Sequence, residues 1–438
     1  MSERVAIAGG GLAGLAAAAA LGEAGYLVDL YESRPFLGGR ATSYPLPASD
    51  TGEVIDNCQH ILLRCCVNLL DFYRRLGVLR AIEFHKQFHF IEPGGRTSVM
   101  QAGMLPAPLH FTGSFHGLQF LTLADKFAIA KALLAIRSER KTRRDLDRIT
   151  MLDWLREKRQ TPQAIERFWR QILVSAINEE LDRMAALHGF QVFWLGFLAA
   201  ANTYEMGIPA IPLGSLYGAE CWDKLPNVHI HFRSPVEEIL HRDGRVEGFR
   251  VPGGVVAATH YLSALPFEKL QPLLPDLSVD WSLFTHSPIT GIHLWFDRPV
   301  TTLPHGTLLD RNLQWFFNKG EGRYLMLVVS ASRGMLEMSR NDVLELALTE
   351  LREFLPAARE AKVIKAHVVK EVRATFSAAP GLEDKRPLAR TRFGNFFLAG
   401  DWTRSGWPAT MEGAVRSGYL AAEAIASAPG RFLLPDIA

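Results

Sequence analysis

Apolar and polar positions alternate along this chain in two rhythms, and their order predicts an α/β protein. Arg4–Ala8 is a short apolar run, as in a buried parallel strand, and residues 12–24 form an Ala/Leu-rich helix. Gly25 stands where a helix-ending glycine would, and residues 26–32 read as a second strand. Strand, glycine turn, helix and strand make a βαβ unit. Residues 66–76 carry Leu69, Leu70, Phe72, Tyr73 and Leu76 at helical spacing and stop at Gly77. Residues 88–100 predict a hairpin turning at Pro93-Gly94-Gly95. A helix is expected over 123–137, and the chain stays largely helical to about residue 200. Residues 228–265 change rhythm. Breaks at Arg242-Asp243-Gly244 and Pro252-Gly253-Gly254 predict a β-meander that leads into a buried strand at 261–265. Strands at 292–296 and 324–329, a helix at 341–354, a strand at 395–399 and a helix at 410–428 complete the pattern.

Composition changes this picture little. With 438 residues, 48% apolar and 21% charged, the chain can bury a large core without staples. Its 48 Lys+Arg against 46 Asp+Glu leave a formal charge of +2, which gives no support for a general nucleic-acid binder. Four cysteines, Cys58, Cys65, Cys66 and Cys221, are too few for a disulfide scaffold, and they lack a zinc-ligand spacing. Reduced thiols in a cytoplasmic protein are expected, with no metal. The uncharged run 184–204 is long enough to span a bilayer, but His188, Gln191 and Asn202 within it predict a buried helix, or one touching lipid, instead.

The chemistry begins at Gly9-Gly10-Gly11-Leu12-Ala13-Gly14, a G-x-G-x-x-G placed between a strand and a helix. Gly9 permits the turn, Gly11 lets a pyrophosphate approach the backbone, and Gly14 lets the helix pack on the sheet. The N–H groups at Leu12 and Ala13 then face the phosphates. Glu32, 18 residues past Gly14 and followed by Ser33, is placed to accept from ribose hydroxyls and disfavours a 2′-phosphate. A second phosphate contact is expected at Gly38-Gly39-Arg40. Near the other end, Leu398-Ala399-Gly400-Asp401 closes a strand, and Thr410-Met411-Glu412-Gly413-Ala414 opens a helix. Asp401 can accept from ribityl hydroxyls, and the helix start can stabilise charge on a reduced flavin ring.

Together these motifs resemble the flavin amine oxidase and phytoene desaturase superfamily. The resemblance implies non-covalent FAD held by Gly9, Gly11, Leu12, Ala13, Gly14, Glu32, Ser33, Gly38, Gly39, Arg40, Gly400, Asp401, Thr410, Met411 and Ala414. It also implies that the Val236 backbone pairs with adenine. The implied fold is a Rossmann-type, glutathione-reductase-like FAD domain made of 1–85, 206–285 and 385–438. A mixed α+β substrate domain, 86–205 and 286–384, is inserted into it.

Asp56-Asn57-Cys58-Gln59-His60, the helix that follows it, and the Trp402–Glu412 stretch are similar to the squalene-associated desaturase-like proteins, the hydroxysqualene dehydroxylases. Cys58 stands where related desaturases often carry glycine, and Arg64 where a small residue is expected. This resemblance implies reductive dehydroxylation of hydroxysqualene to squalene in a squalene/hopanoid pathway. Loss of water would give an allylic cation that takes hydride from reduced flavin. His60 is the first candidate acid and Gln59 an orienting donor, the alternative being that both only hydrogen-bond backbone near the flavin. Trp402 and Trp407 are each expected either to wall the pocket or to fill core. A carotenoid desaturase using the same flavin in the oxidising direction is the nearest alternative. An amine oxidase fits less well, and an FAD-containing isoprenoid carrier or scaffold is a non-enzymatic alternative. A C30 isoprenoid resides in membrane, so residues 103–136, apolar and followed by a basic cluster, are expected either to rest on the inner membrane face or to cover the core with a solvated basic face beyond. Upstream squalene-pathway enzymes are possible partners, and nucleic acid is not one.

Overall fold

In the computed structural model, which describes residues 3–46 and 52–437, the first βαβ unit stands as β1 (Arg4–Ala8), α1 (Leu12–Glu23) and β2 (Leu27–Tyr31). Every residue of α1 from Leu12 to Gly22 is buried, as a helix apolar on all sides requires. Its alanines let the last helix, α7 (Met411–Ala426), come close: a Cβ on Gly418 would lie 2.2 Å from the Ala13 carbonyl oxygen. Helix α2 (Val67–Arg75) buries Leu69, Phe72 and Tyr73 in the same core.

Between these ends the chain builds β3 (Phe88–Ile91), β4 (Thr97–Met100), α3 (Leu123–Glu139), α4 (Gln171–Ile177) and α5 (Ala186–Phe193). The strands β5 (Val228–His231), β6 (Glu238–Arg242), β7 (Arg245–Val251), β8 (Gly254–Val256) and β9 (His260–Ser263) follow. Then come β10 (His286–Phe296), β11 (His305–Leu308), β12 (Trp315–Gly320), β13 (Tyr324–Ser330), α6 (Arg340–Phe354), β14 (Val363–Phe376) and β15 (Phe396–Leu398).

A five-stranded parallel sheet runs β5-β2-β1-β9-β15. The expected meander over 228–265 is therefore split. Its first run pairs with β2, Val228 beside Val28, and only β6, β7 and β8 form the meander. Arg233 adopts φ +53°, and Pro235 two residues on has no N–H for a ladder. The chain thus leaves one sheet before it joins the next.

The second sheet is mixed and has seven strands, β14-β10-β13-β12-β11-β3-β4. It includes the expected 88–100 hairpin, joined in parallel to β11 through Phe90 and Thr307. Alternation sorts its faces. Phe316 packs under α6 with Val343 and Leu351, whereas Trp315 and Phe317 face the helical layer with Phe168 and Trp169.

Residues 184–204 are not one helix. Helix α5 widens into a π-helical turn at Trp194–Leu198, and residues 199–204 leave the helix. Among the described residues no helix is long and apolar enough to cross a membrane. Residues 103–136 are likewise divided, into a turn-rich stretch with a short helix at Thr112–His116 and then α3. A capping box stops α3 from starting earlier, with the Thr122 hydroxyl accepting from the Asp125 N–H and the Asp125 carboxylate from the Thr122 N–H.

Candidate flavin site and apolar cavity

The residues expected to hold the cofactor converge at the carboxyl ends of the parallel strands, where ligands of open α/β sheets bind. The glycine loop follows β1, Glu32 follows β2, and Gly400-Asp401 follows β15. Gly9 sits at φ +105°, and its N–H donates to the Tyr31 carbonyl (2.9 Å). Gly11 is the N-cap of α1 and brings no side-chain cap, so the first-turn N–H groups have no capping acceptor from it. Gly38 donates to the Gly10 carbonyl (2.8 Å), which ties the Gly-Gly-Arg turn to the glycine loop.

Glu32 is buried. Its carboxylate accepts from the Gly10 N–H (2.8 Å), the Arg34 N–H (2.8 Å) and the Ser33 hydroxyl (3.0 Å). These donors orient it beside the loop and leave acceptor capacity for ribose hydroxyls. Arg40 forms an ion pair with Asp401, so two expected contacts from opposite ends of the chain meet. The Gly400 N–H donates to the Ser417 hydroxyl (2.8 Å), and Thr410 caps α7 by accepting from the Gly413 N–H (3.0 Å). Met411 and Ala414 fall in the first turn of α7. Val236 lies half-buried in the crossing from β5 to β6.

This set fits a bound dinucleotide. A Cβ on Gly14 would meet the Gly9 oxygen at 2.1 Å, so Gly14 is filled by the protein itself. A Cβ on Gly11 would meet only the Gly39 Cα, at 3.8 Å, so the space in front of Gly11 is free for phosphates. The Gln59 side-chain oxygen is buried without a protein partner.

The Asp56–His60 block folds back onto the Gly-Gly-Arg turn. Residues Val54–Asp56 pair antiparallel with Ser43–Pro45, and the Asn57 amide donates to the Arg40 carbonyl (2.8 Å). His60 turns to the backbone. Its Nδ1 lies 2.9 Å from the Cys58 carbonyl, which can only accept, so Nδ1 carries the hydrogen. Burial lowers its pKa, and the ring is neutral at neutral pH with Nε2 an acceptor. An imidazolium is not the form this environment favours, because the loss of water on burial outweighs the Cys58 carbonyl and the Asp56 carboxylate that support it, and Lys319 opposes it. Arg64 bonds Glu205 (2.6 Å) and stacks 3.7 Å over the Phe84 ring. Cys58 is buried against β10, where a Cβ on Gly291 would be 4.0 Å from its Cα.

Beside these elements lies a cavity with almost wholly apolar walls. Ile61, Leu63, Phe88, Leu195, Phe197 and Trp407 are among them. Trp407 is thus a wall residue. Trp402 is core, with its N–H on the Leu265 carbonyl (3.0 Å) and its rings against Trp281 and Phe284. Two groups were not singled out from sequence. Glu412 is an ionisable residue in the cavity wall. Arg386 is fully buried, and its guanidinium bonds the carbonyls of Asp401 (2.8 Å), Trp402 (3.3 Å), Thr403 and Trp407 (2.7 Å) and the Glu383 carboxylate. Arginine at 386 follows no local motif, so only its partners reveal it.

The family model of flavin-containing amine oxidoreductases matches residues 12–426. A probable zeta-carotene desaturase of Synechococcus elongatus is 29% identical over 97% of this chain and 99% of its own length. A 15-cis-phytoene desaturase from the same organism is 27% identical over 96% of this chain and 95% of its own. Among solved structures, an oxidoreductase from Methanosarcina mazei superposes with a TM-score of 0.72 at 19% identity, covering 95% of this chain and 98% of its own. Wild-type putrescine oxidase bound to putrescine superposes at 0.71 and 16%, covering 98% and 99%. The glycine loop with open space before it, the Arg40–Asp401 closure and a family match over nearly the whole chain lead to one conclusion: this chain belongs to the flavin-containing amine oxidoreductase family and is an FAD-dependent oxidoreductase.

Proposed function

We propose that this flavoprotein is a hydroxysqualene dehydroxylase that takes its substrate from a membrane surface. The observation that carries the reading is the cavity. Its apolar walls join the Ile61–Cys66 stretch to the Trp407–Glu412 stretch, next to and within the two blocks that resemble the dehydroxylases. Such walls suit a C30 chain and keep out the water that would recapture an allylic cation. Bound FAD supplies two-electron chemistry, and Gly11, Glu32, Arg40 and Asp401 hold it. Neutral His60 and Gln59 act as positioning groups, His60 by fixing the Cys58 carbonyl. His60→Ala should keep FAD and lower turnover. His60→Gln, which retains a donor for that carbonyl, should restore most of it. If His60 were instead an imidazolium acid, glutamine would restore only a small part.

A second reading, carotenoid desaturation, is favoured by the names of the relatives. Anaerobic incubation of the reduced holoprotein with hydroxysqualene, followed by mass analysis of the lipid, decides between them. Squalene is the expected product. No conversion, together with added double bonds in zeta-carotene by the oxidised protein, would replace this reading with the desaturase.

Membrane attachment is supported by one face of the 103–136 region. Helix α3 buries Ile129, Ala132 and Ile136 but exposes Leu123, Phe127 and Leu134, and Met104, Leu105 and Leu109 are exposed nearby in the chain. Exposed Lys131 lies among them, and exposed Arg137, Lys141 and Arg144 follow in sequence. Phe111 connects this surface to the cavity, 6.0 Å from the wall residue Phe197. Fully burying an apolar side chain in lipid contributes about 1.5–3 kcal/mol. The Leu123→Asp/Phe127→Asp protein should therefore lose co-sedimentation with anionic vesicles while keeping its flavin. Undiminished sedimentation would move the attachment site elsewhere.

A further inference from the structure

We propose that Glu412 is the proton-exchanging group of the cavity: neutral, it gives its proton to the departing hydroxyl, and ionised, it faces the cation left behind. The inference rests on the dehydroxylase reading. Among the described residues no other member of the cavity wall is an acid, Lys or Arg; Gln, Ser, Thr, Cys and Trp supply the remaining polar side-chain atoms. Glu412 is the second residue of α7, and the flanking Thr410 and Met411 are also wall residues expected at the flavin.

Glu412 also holds the start of α2. One carboxylate oxygen accepts from the Asn68 N–H (3.2 Å) and the Asn68 amide (2.9 Å), the other from the Leu69 N–H (2.7 Å). Those donors favour the charged form, as does the positive end of α2. Burial opposes them and is the larger influence. Arg416 stands 3.8 Å away on α7, but its charge is shared with Asp436 at 2.9 Å. Cys66, on the turn before α2, stays a neutral thiol because its hydrogen bond with Cys65, and burial, push it up. The balance leaves Glu412 pushed up to about 7. A carboxyl poised there can release and regain a proton at working pH.

In the step, the allylic C–O bond breaks and its electron pair goes to oxygen. The Glu412 proton joins that oxygen, and water leaves. The two electrons and the hydrogen that complete the reduction come from the reduced flavin. The carboxylate later regains a proton from the acid form of the solvent buffer, so that one hydride and one proton are consumed for each alcohol converted to hydrocarbon and water.

The test uses the holoenzyme. Glu412→Gln should keep FAD and lose on the order of 10²–10⁴-fold in dehydroxylation. Its rate should also lose the inflection near neutral pH that the wild type shows. Asn68→Ala removes one donor that stabilises the carboxylate, so its inflection should move to higher pH. Binding gives a readout free of turnover: a long-chain tertiary ammonium isoprenoid, bearing the charge of the cation, should bind the wild type more tightly as pH rises through that inflection. E412Q should bind it with flat pH dependence. If Glu412 only caps α2, E412Q will melt earlier, yet the rate profile and ammonium affinity of the folded protein will keep their wild-type pH dependence, and the proposal falls. If the wild type makes no squalene, the dehydroxylase reading fails by itself, while the ammonium titration still decides whether Glu412 titrates in the cavity.

Discussion

Gly11→Val should fold normally and purify without flavin. Gly11 has φ −79° and ψ 173°, a conformation that valine adopts readily. A Cβ there meets no protein atom closer than 3.8 Å. The only thing the new side chain displaces is what belongs in front of the loop, the pyrophosphate. Flavin content should fall at least about tenfold, equal to roughly 1.4 kcal/mol or more of lost binding, with circular dichroism unchanged. Gly14→Val should behave differently. Its Cβ would lie 2.1 Å from the Gly9 oxygen and 3.2 Å from the Ala264 side chain. Helix α1 cannot move away, since α7 holds it from the other side, so this variant should lose both flavin and stability. A yellow Gly11→Val protein would mean that the phosphates lie elsewhere.

Arg386→Met should be the most damaging single change outside the glycine loop. It leaves four backbone carbonyls between residues 401 and 407 and the Glu383 carboxylate without their shared donor. Breaking a buried charge network by removing one partner costs about 3–5 kcal/mol. The 401–407 loop carries Asp401, which pairs with Arg40, and Trp407, which walls the cavity. Thermal unfolding should therefore drop sharply, and flavin retention and turnover should fall with it. Arg386→Lys should rescue little, because an ammonium cannot reach five acceptors spread around a planar fork. Stability within about 1 kcal/mol of wild type, a surface-like response, would show that solvent satisfies those carbonyls instead.

The sequence by itself determined the βαβ unit, the glycine loop, Glu32 and the capped last helix. Each is a local device: a turn that needs glycine, an apolar run with period 2 or 3.6, or a cap within four residues of its partner. Local physics writes such features into neighbouring positions. The tertiary structure alone decided what depends on distant segments. The 228–265 stretch divides between two sheets because β5 finds the edge of β2, which no local pattern announces. Trp402 and Trp407 have the same residue type and lie five positions apart, yet one fills core and the other walls a cavity. His60 looked like an acid because imidazole titrates near neutral pH; burial beside a backbone carbonyl favours the neutral ring. Glu412 looked like a helix-start residue. Its place in an apolar cavity, 344 residues from the Asn68 that binds it, depends on the packing of α7 against α2. Burial and charge balance are sums over everything that surrounds a group in space, and a sequence orders only what is adjacent along the chain.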